Sequence, residues 1–124
     1  MTEARLDYVS NALLIRLNMT DGLTLVGFNP NNAFRSISGV FQFSDETVCA
    51  HDLIEKGFDL EGTKESEIII GTNAADRISG YGGNDTLGGG DGDDVYYYEP
   101  GGGLDCISDS SGYDVLEFKG GLTA

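Results

Sequence analysis

Basic residues are scarce in this chain: 7 Lys and Arg stand against 21 Asp and Glu in 124 residues, a formal net charge of −14. That scarcity argues against a nucleic-acid reader, because neutralising phosphates needs a cationic face that so few charges do not build. Histidine occurs once and cysteine twice, too thin a set for the clustered ligands that hold zinc or copper. No apolar run approaches the roughly 18 residues of a membrane-spanning helix. Glu3, Arg5 and Asp7 stand at the start with no long apolar core behind them, so no cleavable secretory leader is read there. Hydrophobic residues nevertheless make up 40% of the chain, which argues against simple acidic disorder.

The glycine is unevenly placed. Residues 1–70 hold 5 Gly with 11 acids and 5 bases, whereas residues 71–124 hold 14 Gly with 10 acids and 2 bases. A flexible linker would show no fixed spacing. Here the spacing is nine. The units start at Gly62, Gly71, Gly80, Gly89, Pro100 and Asp109, with Tyr98–Glu99 inserted before the fifth. Each carries an acid at its sixth position: Glu67, Asp76, Asp85, Asp94, Asp105 and Asp114. Each also carries a large apolar residue two places later: Ile69, Ile78, Leu87, Tyr96, Ile107 and Leu116.

Six turn-prone residues followed by three strand-prone ones describe half a coil of a flattened solenoid. The fold expected is all-β: a parallel β-roll preceded by a small antiparallel β-rich cap with one short helix. Position eight points inward and contributes about 1.5–3 kcal/mol on full burial. Ordering each residue costs roughly 1–2 kcal/mol of backbone entropy, so so narrow a core needs help. Alternate units share an edge, which stacks Asp76, Asp94 and Asp114 on one side and Asp85 with Asp105 on the other. Stacked carboxylates repel unless a hard divalent cation lies between them. Calcium, with six to eight oxygens in loose geometry, suits a carbonyl-rich turn better than magnesium. Asp91 and Asp93 open a D-x-D, but Val95 and Tyr96 break the EF-hand frame. No Gly-Lys-Ser or Gly-Lys-Thr supports a phosphate loop.

The units Gly80–Gly88 and Gly89–Tyr97 resemble the GGxGxDxUx nonapeptides of RTX (haemolysin-type) calcium-binding proteins. The stretch from Ala12–Leu17 through Asp21-Gly22, Phe41–Val48 and His51–Leu53 resembles, more loosely, the haemolysin-type calcium-binding-related domain. Cys49 stands where that domain tends to have Trp. The resemblance implies that each ion takes both aspartates, the carbonyls of positions two and four of one loop, and those of positions one and three of the next. For Asp76 with Asp94 these are Thr72, Ala74, Gly89 and Asp91. For Asp85 with Asp105 they are Tyr81, Gly83, Pro100 and Gly102. For Asp94 with Asp114 they are Gly90, Gly92, Asp109 and Ser111. Two or three calcium ions are expected. A site using Glu67 is disfavoured, because its longer side chain would crowd the gap. The resemblance further implies a secreted, extracellular protein exported by type I secretion, with folding coupled to calcium. Two other readings stay open: a non-catalytic C-terminal part of a secreted hydrolase or toxin, and a spacer or ligand-binding module of an adhesin.

The expected division is a cap at 1–61, the roll at 62–117 and, at 118–124, a tail or a link to a further module of the same polypeptide. Apolar runs at 12–17 and 23–28 flank Thr20-Asp21-Gly22 and predict a hairpin. Phe41 and Phe43 alternate before a turn at Ser44–Glu46, and Ala50–Lys56 predicts a short helix ended by Gly57. Asn29–Asn32 reads as a loop. No catalytic residue is assigned: His51 reads as a surface residue and no G-x-S-x-G elbow exists. Cys49 and Cys106 leave disulfide pairing open, and Tyr96–Tyr98 read as one core tyrosine flanked by two surface ones.

Overall fold

The computed structural model describes residues 3–7, 12–16, 22–25, 29–33, 40–42, 44 and 47–124. The turn residues Thr20 and Asp21, together with Phe43, Asp45 and Glu46, lie outside them.

Seven short strands build the roll expected from the nine-residue period. Strands β6 (Phe58–Glu61), β8 (Asp76–Ser79), β10 (Val95–Tyr98) and β12 (Val115–Phe118) form one parallel sheet. Strands β7 (Ile68–Ile70), β9 (Thr86–Gly88) and β11 (Cys106–Ile107) form the other. The chain alternates between the two, so each pair of units makes one coil. Position eight is the residue that both sheets turn inward. Leu60, Ile78, Tyr96 and Leu116 are in register in the first sheet, as are Ile69, Leu87 and Ile107 in the second. The first five of these in chain order, Leu60 to Tyr96, are at most 2% exposed. Ile107 and Leu116 are 39% and 46% exposed, so the core is closed at its N-terminal end and open at the other.

β6 is a rung upstream of the first unit visible by its acid. Phe58 pairs with Asp76 in the register and occupies the acid's position with an apolar ring, fully buried. The Tyr98–Glu99 insertion leaves the strand register intact, since Cys106 still pairs with Thr86 and Val115 with Val95. The turn absorbs it: Gly102 N–H donates to the Glu99 carbonyl at 3.0 Å, and the Tyr98 hydroxyl to the Gly103 carbonyl at 2.6 Å.

Before the roll, β1 (Glu3–Asp7), β2 (Ala12–Arg16) and β3 (Gly22–Leu25) form an antiparallel meander, which contains the expected hairpin. β4 (Val40–Gln42) pairs antiparallel with β5 (Thr47–Cys49). The helix α1 (Ala50–Glu55) carries Asp52 in its first turn, where the helix dipole favours an acid. Gly57, at φ +75°, ends it, and its N–H returns to the Ile54 carbonyl at 2.9 Å. Ala50 and Ile54, one turn apart, are both buried. β1 also lies against β6.

The Asn29–Asn32 segment is more than a loop. Pro30–Asn32 form a 3-10 turn capped by the Asn29 side chain. Asn73 joins it to the roll: its N–H donates to the Pro30 carbonyl at 2.8 Å, and its Oδ1 accepts from Ala33 N–H at 2.7 Å. Cys49 and Cys106 are both free thiols. His51 is exposed on α1 and pairs with Glu55 one turn on, at 3.1 Å.

Candidate metal centre

The parallel register stacks each acid on the one a full coil away. A single hydrogen bond repeats at every level: the backbone N–H of one acid donates to Oδ1 of the acid in the following coil. Along one edge Asp76 N–H meets Asp94 at 2.7 Å and Asp94 N–H meets Asp114 at 3.1 Å. Along the other, Glu67 N–H meets Asp85 at 2.9 Å and Asp85 N–H meets Asp105 at 3.0 Å. One carboxylate oxygen is thus consumed by the fold and its partner is left over.

That second oxygen sits over the first residue of its own unit. A Cβ at Gly71 would lie 2.5 Å from Asp76 Oδ2, one at Gly80 2.4 Å from Asp85 Oδ2, and one at Gly89 1.9 Å from Asp94 Oδ2. In these three units glycine at position one is therefore needed for space, because any side chain would displace the carboxylate. Asp85 and Asp94 are at most 1% exposed, and their Oδ2 atoms have no hydrogen-bond partner. Burying a carboxylate oxygen with neither donor nor counter-ion is costly. An oxygen-lined cradle with orphaned anionic atoms suits a hard cation, and the available donors are all oxygens.

Asp76 is treated differently. Its Oδ2 accepts from Thr72 N–H at 2.6 Å and from the Thr72 hydroxyl at 3.0 Å. Burial pushes the Asp76 carboxyl up to about 7 from an ordinary value near 3.8, against the lowering effect of these donors. Asp94 is pushed up to about 6, chiefly by burial, with the charges of Asp109, Asp114 and Asp93 adding to the rise. Protons thus compete for these oxygens when no cation is bound.

The remaining expected ligands fall on the same two edges. Thr72 and Ala74 present their carbonyls to the next loop, 2.4 Å and 2.6 Å from where Cβ atoms of Gly90 and Gly92 would stand. Both glycines have left-handed φ, +103° and +121°, which turns the loop tightly against them. On the other edge the Gly83 carbonyl faces Gly103 and the Tyr81 carbonyl faces Gly102 across from Pro100. Tyr81 itself adopts a left-handed φ of +67°, where the two following units use glycine, Gly90 and Gly101. Asp91 and Ser111 bridge the last two loops of the first edge, with the Ser111 hydroxyl donating to Asp91 Oδ1 at 2.7 Å and Ser111 N–H to the Gly90 carbonyl at 3.3 Å.

Two features of this edge escape the nonapeptide pattern. Asp109 brings its side chain, not only its carbonyl, to the edge: carboxylate oxygens of Asp94, Asp109 and Asp114 all lie within 4.8 Å of one another. Tyr96, a core residue by period, extends its hydroxyl out to that edge, where it donates to Asp109 Oδ2 and accepts from Gly89 N–H at 2.6 Å. A glycine-based pattern carries no signal for either, because both depend on a side chain at a position that the motif leaves to backbone or core.

Residues 61–96 match the family model of the RTX calcium-binding nonapeptide repeat in four copies. No curated protein and no solved structure matches the chain. The matched segment is thus similar to the RTX calcium-binding repeat and lies within the parallel β-roll whose edges are described above.

Proposed function

We propose that this chain is a calcium-dependent structural module of a secreted protein, with two or three ions held between same-edge loops. The observation that carries the reading is the pair of buried, partnerless oxygens, Asp85 Oδ2 and Asp94 Oδ2. The ligand sets are Asp76 and Asp94 with the carbonyls of Thr72, Ala74, Gly89 and Asp91; Asp85 and Asp105 with Tyr81, Gly83, Pro100 and Gly102; and Asp94 and Asp114 with Gly90, Gly92, Asp109 and Ser111. Bound calcium supplies the positive charge that turns carboxylate repulsion into attraction.

Folding is coupled to that charge. Where calcium is scarce, the stacked acids oppose the roll; near millimolar calcium, sites with the 10⁻⁴–10⁻³ M constants usual for extracellular modules fill and draw the chain into it. Such a device suits export of an open chain through a type I channel followed by folding outside. No catalytic role is assigned, since His51 is exposed on α1 and engaged with Glu55. The open end of the roll, where Ile107, Leu116 and Phe118 are 39%, 46% and 57% exposed, supports packing against a further module of the same polypeptide. At the opposite end β1 lies against β6, which supports the segment before the roll as its cap.

Isothermal titration of the full chain with calcium tests the proposal. Saturable uptake of two or three ions is expected. Heats no larger than dilution up to 10 mM calcium, far above the roughly 10⁻³ M upper constant of such modules, would overturn it.

A further inference from the structure

We propose that the side chain of Asp109 is itself a cation ligand, which makes the last site of the first edge a three-carboxylate centre, and that the Tyr96 hydroxyl positions it. The proposal rests on the calcium-binding reading above and adds a ligand that the nonapeptide pattern assigns only as a carbonyl. In four of the six units position one is glycine, and in three of them the space beside it is filled by the unit's own aspartate. Asp109 departs from that arrangement. It carries a carboxylate where the others carry none, and that carboxylate points to the loop of the preceding coil.

One feature beyond the carboxylate cluster itself points to a site here. Asp94 Oδ2 is fully buried and has no protein donor, and the Asp94 carboxylate is grouped with that of Asp109. The point where a Gly89 Cβ would stand is 1.9 Å from Asp94 Oδ2 and 2.8 Å from the Tyr96 hydroxyl. The hydroxyl that holds Asp109 therefore adjoins the orphaned oxygen. Asp109 is also fixed on its other side, since Ser111 N–H donates to its Oδ1 at 3.2 Å. Each of these oxygens keeps a lone pair beyond the hydrogen bond it accepts. Three carboxylates held within 4.8 Å are mutually repulsive and become favourable when a cation shares them. Tyr96 is a positioning residue: its hydroxyl spends its proton on Asp109 and its acceptor on Gly89 N–H, which locks the ring's reach from core to edge.

The test is a chelator-competition calcium titration of the full chain, paired with circular dichroism in calcium and in chelator. Asp109→Asn should weaken one site about 10–100-fold while leaving the others in place. It should also raise the β-sheet signal retained in chelator, by relieving repulsion, and shrink the gain that calcium produces. A merely structural residue would lower both. Tyr96→Phe should weaken the same site by about tenfold. Asp93→Asn removes an equal charge nearby while its amide oxygen can still accept Tyr113 N–H, and it should leave that site within about threefold of the parent, as expected for a solvent-screened charge. An Asp109→Asn titration that overlays the parent, or an equal loss in Asp93→Asn, would overturn the assignment while calcium binding stands. Absence of calcium uptake by the parent chain would overturn the underlying reading instead.

Discussion

The two edges of the roll share one backbone device and differ in side-chain chemistry. On both, an acid's N–H donates to Oδ1 of the acid in the next coil, at 2.7 and 3.1 Å on the Asp76–Asp94–Asp114 edge and 2.9 and 3.0 Å on the Glu67–Asp85–Asp105 edge. The first edge then adds two elements. Thr72 takes up the second oxygen of Asp76, and Asp109 with Tyr96 enlarges the acidic cluster around Asp94 and Asp114. The second edge begins instead with Glu67, whose Oε2 accepts from Thr63 N–H in its own loop at 2.5 Å. An aspartate at position six is thus one condition among several. The residues at positions one and two determine whether its second oxygen is free.

Removing one acid from each edge separates them most. Asp94→Ala should abolish two calcium sites, because Asp94 stands between Asp76 and Asp114. It also strips the acceptor from Asp76 N–H, a buried group whose loss of partner costs about 1–3 kcal/mol. Asp85→Ala should abolish one. Ion counts from titration of the two variants decide the matter, and a loss of two ions in Asp85→Ala would bring Glu67 into the ligand set.

Proton concentration should move the first edge next. The Asp76 and Asp94 carboxyls are raised to about 7 and about 6 from near 3.8, so the metal-free folded chain binds more protons than the unfolded one between those limits. Their contribution to metal-free stability is full below about pH 4 and is lost as pH rises through 6 and 7. Calcium affinity runs the other way and strengthens over the same range as protons leave. The β-sheet signal retained in chelator and the calcium affinity, each compared at pH 5 and pH 8, should therefore show opposite slopes.

The smallest effect should come from Thr72→Val. Loss of the hydroxyl bonds to Asp76 and Ala74 N–H should cost about 1 kcal/mol in urea melts at saturating calcium. Calcium affinity should not fall, since the change removes a competitor for Asp76 Oδ2. A weakened calcium titration would make the hydroxyl part of the site and erase that difference between the edges.

The roll and its acids were legible because they repeat. A nine-residue spacing of acid and apolar residue predicts the two parallel sheets, and Ile69, Ile78, Leu87 and Tyr96 are buried as position eight requires. β6 was invisible to the same logic: Phe58 replaces the acid and no glycine run precedes it, so only strand pairing with β8 reveals the rung. The docking of Pro30 and Ala33 on Asn73 joins segments about forty residues apart and leaves no local trace. The Tyr96–Asp109 bond was hidden for a third reason. Periodicity places a tyrosine ring in the core but says nothing of where its hydroxyl ends.

The central claim is that cation binding and formation of the roll are one equilibrium. Far-ultraviolet circular dichroism of the full chain, followed as calcium is added to a chelated sample, tests it most directly. The account predicts a growing β-sheet signal that saturates with ion binding and reverses on chelation. A complete β-sheet signal in chelator, unchanged by calcium, would contradict it.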